Sequence, residues 1–225
     1  MSVGQVDAHD VLVALERLHG RVDRRLHLGP VDELVATVLS QHTSDVNTAR
    51  AFASLKAAFP TWDAVVSAPT DEIVDAIRSG GLAKQKAPRI QAILADVERT
   101  YGGYSLHSLR DRTVSDARAA LMSMHGVGPK TASCVLLFSM GMPALPVDTH
   151  VHRVSRRLGL IPDRLSAEDA HEALEGQLPK DADDVYSFHM LMIRHGREVC
   201  VARQPRCIRC GLIAMCEYGR HLADA

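Results

Sequence analysis

The chain has 225 residues, 46% hydrophobic and 24% charged, with 26 basic against 27 acidic side chains. That composition excludes a disordered chain and supplies a core for one large domain or two small ones. No apolar run approaches the roughly 20 residues of a membrane helix, so no membrane span is expected. The N-terminal MSVGQVDAHD lacks the basic and then apolar stretch of a signal peptide, which leads to the expectation of a cytoplasmic protein. The near-zero net charge conceals a local asymmetry. Residues 78–89 hold four bases and no acid, 194–220 hold six arginines against two glutamates, and 162–184 hold eight acids and two bases. A polyanion responds to the local field, so a neutral total does not exclude a basic face.

Taken in chain order, the apolar spacing predicts helices throughout. Leu34, Val35, Val38 and Leu39 form the first clear stripe, with Pro30 as its start signal. Ile73, Val74 and Ile77 follow, with Thr70 as the expected cap, and then Ile90, Ile93, Leu94 and Val97. Ser115 is expected to cap a helix ending near Met124, and Ser166 with Asp169 forms a box-like pair. Val185, Phe188, Leu191 and Met192 close the series. Gly80-Gly81, Gly102-Gly103, Gly126, Gly128 and several prolines punctuate it, and no alternating strand appears. The expectation is an all-α protein of about ten short helices.

Three segments carry chemistry. Gly80-Gly81-Leu82-Ala83-Lys84-Gln85-Lys86 sets an apolar residue on a glycine-flanked turn among bases. Leu82 there either packs on its own helix pair or serves as a wedge between bases, with Lys84, Lys86 and Arg89 on phosphates. His125-Gly126-Val127-Gly128-Pro129-Lys130-Thr131-Ala132 joins two helices through two glycines, with Pro129 suited to a first helical position. Such a hairpin is either an ordinary turn or a cradle of backbone N–H groups for a phosphate. Lys130 falls in the first helical turn, where the helix dipole and partial burial both disfavour its charge; it is either a nucleophile or a phosphate-contacting cation. Asp148, eighteen residues on, caps the helix starting near Thr149, pairs with Lys130, or does both.

The third segment is Cys200, Cys207, Cys210 and Cys216, spaced C-x6-C-x2-C-x5-C. Clustered cysteines in a cytoplasmic setting read as metal ligands. One close pair with wide arms favours a [4Fe–4S] cluster over zinc. Cys134, on an apolar stripe, reads as a buried structural thiol.

The segment LMSMHGVGPKTASCVLLFSMGMPALPVDTHVHRV (121–154) resembles the helix-hairpin-helix and Gly/Pro-Asp loop of DNA glycosylases. CVARQPRCIRCGLIAMC (200–216) resembles the iron–sulfur loop of the endonuclease III family, and residues 31–50 and 81–90 resemble it too. The resemblance implies two all-α domains flanking a DNA-binding cleft. One is a six-helix domain, 23–142. The other joins 1–22 to 143–225 and holds the cluster. It places Lys130 and Asp148 on the catalytic lysine and aspartate. DNA contacts would come from Gln41, His42, Leu82, Lys84, Gly126, Val127, Gly128, Thr131, Arg203 and Arg206, with Arg209 beside them. Gln41 and His42 compete for the place of the residue that fills the gap left by a flipped base. His125 and Pro129 depart from the proline and arginine common in close relatives.

The implied function is a glycosylase with abasic-site lyase activity. It would remove oxidised pyrimidines from duplex DNA and cut 3′ to the lesion, as a nucleoid-associated monomer. Alternatives are a mismatch-type glycosylase, a non-catalytic DNA-binding module and an electron-transfer protein. The compact C-x2-C-x2-C-x3-C-P run of the last is absent.

Overall fold

The computed structural model describes residues 6–25 and 28–223. Among them the chain runs through twelve α-helices. They are α1 (Ala8–His19), α2 (Pro30–Ser40), α3 (Asp45–Ala58), α4 (Trp62–Ser67), α5 (Thr70–Ala76), α6 (Ala83–Tyr101), α7 (Val114–Met122), α8 (Pro129–Cys134), α9 (Thr149–Leu158), α10 (Ala170–Glu175), α11 (Ala182–Glu198) and α12 (Glu217–Ala223). No strand occurs among the described residues, so the protein is all-α, as expected. None of these helices is long and apolar enough to cross a membrane. The chain divides into two compact units, Leu26–Met140 and Met1–Arg25 with Gly141–Ala225. The ends of the expected discontinuous domain, 1–5 and 224–225, lie outside the described residues.

In the Leu26–Met140 unit, α2 opens with Pro30 at its first position, where a missing N–H costs nothing. Leu34, Val35, Val38 and Leu39 are buried as α2 packs on α3 and α8. The stripe Ile90, Ile93, Leu94 and Val97 of α6 is buried, and α6 packs on α4 and α5. Each such side chain contributes about 1.5–3 kcal/mol on leaving water. Two expected caps are displaced. Thr113, not Ser115, caps α7, its Oγ accepting the Asp116 N–H at 3.1 Å. Thr113-x-x-Asp116 has the box spacing; three residues beyond Ser115 stands Arg118 instead. Thr70 is the first residue of α5, and its hydroxyl turns to Gln91 of α6 at 2.8 Å. The Ser166–Asp169 pair forms as expected, just ahead of α10.

In the other unit, Asp7 and Asp10 build a reciprocal capping box on α1. α1 packs on α11, burying Ala8, Val11, Leu12 and Leu15 on one side and Val185, Phe188, Leu191 and Met192 on the other. Polar ties fix this return of the N-terminal segment: Ser187 Oγ accepts the Val22 N–H at 3.2 Å and donates to Glu16 at 2.8 Å. α9 packs between α11 and α12, and carries the residues described next.

Candidate functional site

Within the Leu26–Met140 unit, the hairpin between α7 and α8 is anchored on α6. Gly126 has φ of +80°, and the His125 N–H donates to Asp96 at 3.2 Å. The Arg89 guanidinium donates to the Gly126 carbonyl, and through its other nitrogen to Gln41 Oε1 at 2.9 Å. Gly126 is exposed and Gly128 half-buried, whereas the Val127 and Thr131 side chains are buried. What Thr131 can offer a ligand is therefore backbone, whereas the Val127 N–H already donates to the Met124 carbonyl at 3.2 Å. α8 continues as a π-helical segment, Val135–Met140, and Cys134 is buried at their junction.

Lys130, half-buried, is the second residue of α8. α2 brings Glu33 within its electrostatic reach. Burial pushes the Glu33 carboxyl above the ordinary 4.5, against a hydrogen bond from Thr37 (3.2 Å) and the charge of Lys130. Glu33 is only weakly marked in the sequence. Its signal was a polar residue one turn ahead of Thr37, flanking the apolar stripe.

Leu82 precedes α6 in a left-handed conformation, φ 51°, with its side chain 46% exposed. Lys84 is exposed beside it. The expected phosphate role of Lys86 is corrected. Lys86 is 3% exposed and donates to the carbonyls of Leu39 (2.7 Å) and Gly80 (2.8 Å), ending α2 and bracing the Leu82 turn. Burial lowers its pKa. Arg89 is occupied by Gln41 and Gly126. Gln41 is thus tied down at the end of α2, while His42 beyond it is exposed at φ 54°.

In the other unit, Asp148 caps α9. Its Oδ1 accepts the backbone N–H groups of His150 (2.8 Å) and Val151 (2.7 Å), which fixes the carboxylate's orientation. His152 donates to, and so packs against, the Leu165 carbonyl at 2.8 Å, and His150 Nδ1 accepts from Arg153 at 3.1 Å.

Cys200, Cys207, Cys210 and Cys216 line one pocket of this unit, together with Arg157, His195 and Tyr218. Burial pushes the Cys210 and Cys216 thiols up, and the neighbouring cysteines act in the same direction. N–H groups point at the sulfurs: Arg157 to Cys200 at 3.3 Å and Gly219 to Cys216 at 3.4 Å. Arg157 also binds the carbonyls of Val201 and Ala202, and its guanidinium lies 5.1 Å from the Tyr218 ring centre. Among the described residues no three His, Cys, Asp or Glu side chains converge on one ion. Four thiols that repel one another as thiolates, share a pocket and meet N–H donors fit a cationic metal–sulfur cluster. Of the loop arginines, Arg203 and Arg209 are exposed, and Arg206 donates to the Glu198 carbonyl at 3.1 Å.

A family model described as HhH-GPD superfamily base excision DNA repair protein matches residues 35–180. A candidate DNA glycosylase of Arabidopsis thaliana is 37% identical over 198 residues, 87% of this chain and 66% of its own length. Endonuclease III of Thermotoga maritima is 35% identical over 213 residues, 95% of this chain and 92% of its own. Among solved structures, a trapped endonuclease III–DNA covalent intermediate superposes with a TM-score of 0.77 at 31% identity, covering 94% of this chain and 95% of that one.

Proposed function

The chain belongs to the HhH-GPD superfamily of base excision DNA repair proteins, and from that premise we propose that it is a bifunctional glycosylase and abasic-site lyase acting on oxidised pyrimidines in duplex DNA. The observation that carries this reading is Lys130, a primary amine in the first turn of the helix that leaves a glycine hairpin. The covalent intermediate trapped in a similar protein supports it.

In the proposed reaction the lesion leaves the base stack, exposing C1′. Lys130 Nζ attacks C1′; the C1′–N bond breaks, and the base departs with the bonding electrons and takes up a proton. The amine loses its proton and the sugar ring opens to a Schiff base. That imine acidifies the C2′ hydrogen, and its removal expels the 3′ phosphate. Water then releases the amine. Asp148 assists the deprotonation of Lys130 and stabilises positive charge on the sugar. The two N–H bonds to Oδ1 leave Oδ2 as the oxygen assigned to that work. The reading requires Lys130 and Asp148 to act on one nucleotide.

Gly126, Gly128 and Thr131 offer backbone N–H groups to a phosphate, Val127 packs the hairpin beneath them, and Lys84, Arg203 and Arg206 add charge along the strand. His42, exposed where Gln41 is held by Arg89, is assigned to the gap left by the flipped base. Cys200, Cys207, Cys210 and Cys216 would hold a [4Fe–4S] cluster, which supplies structural cross-linking of the loop carrying Arg203, Arg206 and Arg209. The test is a panel of oxidised-pyrimidine, mismatch and abasic duplexes. Excision and nicking of the first, nicking of the last and inertness on mismatches support the proposal. Base removal without nicking would overturn the lyase assignment.

A further inference from the structure

Residues 141–148 form an irregular connection whose Met142, Ala144, Leu145, Pro146 and Val147 are buried. Buried backbone outside a helix or sheet must find its hydrogen bonds elsewhere. Here side chains of α10 and α11 supply them. The Leu145 N–H donates to Glu175 Oε1 at 2.6 Å, His189 Nδ1 to the Pro146 carbonyl at 2.9 Å, and the Val147 N–H to His171 Nε2 at 3.1 Å. Both histidines are 3% exposed.

The partners fix the state of His171. The Val147 N–H can only donate, so Nε2 must present a lone pair. Nδ1 lies 3.0 Å from the Glu168 carbonyl, which can only accept, so Nδ1 carries the hydrogen. His171 is therefore held as one neutral tautomer, and a doubly protonated ring would turn a donor towards Val147. His189 must likewise carry its hydrogen on Nδ1 to reach Pro146.

Asp148 is the next residue. We propose that His171 is a positioning residue for Asp148, with His189 and Glu175 completing a side-chain clamp on the backbone that delivers the carboxylate; this rests on the catalytic role assigned to Asp148 above. The first turn of α9 fixes Asp148 from downstream through the N–H groups of His150 and Val151. The clamp fixes it from upstream. A carboxylate that must meet a transition state loses rate steeply on small displacements, on the order of a hundredfold for 1 Å. A pair of buried histidines that merely satisfied backbone would affect folding and leave the rate of folded molecules unchanged.

The test uses the full chain and an oxidised-pyrimidine duplex. Single-turnover base excision, duplex affinity and melting temperature are measured for the wild type, Asp148→Asn, His171→Leu and His171→Gln. Loss of the acceptor in His171→Leu is expected to slow excision roughly tenfold or more, with affinity within about twofold. His171→Gln sets a carbonyl near the place of Nε2 and is expected to recover most of the rate. Should the leucine variant fail to fold, His171→Asn, polar but too short to reach Val147, takes its place and must show the same split. Wild-type rate in the folded variant overturns the proposal. So does a loss of rate matched by a loss of affinity, or a glutamine variant as slow as the leucine one. A wild type that neither excises nor responds to Asp148→Asn overturns the functional reading itself, which distinguishes the two failures.

Discussion

Leu82 holds a left-handed backbone that a branched apolar side chain rarely adopts, and it holds it in the open. Lys86 makes that possible by gripping the Gly80 carbonyl just before the turn. The geometry suits a side chain presented for insertion into stacked bases. Leu82→Ala is expected to slow excision from duplex substrates about tenfold, the effect of about 1.4 kcal/mol at the transition state. Nicking at a preformed abasic site should suffer less, because no base remains to be extruded. Equal losses on both, with a lowered melting temperature, would make Leu82 a packing residue.

Glu33 gives a second test at this scale. Its folded-state pKa is raised by burial, so its stabilising contribution is complete below about 4.5 and is lost as pH rises through the folded value. Glu33→Gln should accordingly raise the urea midpoint at pH 7 more than at pH 4.5. A larger gain at the lower pH would contradict the burial argument.

At the scale of elements, α6 is the brace of its unit. Its N-terminal turn ends α2 through Lys86, its middle holds the hairpin through Arg89 and Asp96, and Gln91 ties the α4–α5 connection by donating to the carbonyls of Val65 and Ala68. Lys86→Met leaves two buried carbonyls without their donor. A stability loss of about 1–3 kcal/mol is expected, read as a lower urea midpoint at unchanged slope.

The helices were legible from apolar period, because burial of one stripe is what makes each of them stable. The roles of the charges were not. Lys86, Ile90, Ile93 and Val97 fall at helical spacing on one buried face, yet counted by composition Lys86 belonged to a basic patch. Arg89, three residues on, is half-buried and spends its guanidinium on Gln41 and the Gly126 carbonyl. The cap of α7 was misplaced for a similar reason: Ser115 looks like a cap alone, and only the acidic residue three positions on singles out Thr113. Lys130, Asp148 and the four cysteines could be singled out because each stands in a local pattern of fixed spacing. The clamp of Glu175, His189 and His171 on residues 145–147 was not, since its members meet only in the fold.

Across the whole molecule, the chain builds its second unit from both ends, and the thiol pocket lies near the C-terminal one. Anaerobically prepared protein should contain about four irons per chain and absorb broadly near 400 nm, as thiolate-bound clusters do. Cys210→Ser should lower iron content and the stability of the 200–216 loop together. Stoichiometric zinc without iron would contradict this assignment while leaving the chemistry at Lys130 standing.

That chemistry is the central claim, and borohydride trapping tests it most directly. An abasic-site duplex incubated with the protein and borohydride should yield a covalent adduct that maps to Lys130 on peptide analysis. Lys130→Ala should abolish the adduct while binding the duplex with nearly wild-type affinity. An undiminished adduct in Lys130→Ala, or an adduct mapping to another amine, would contradict the account.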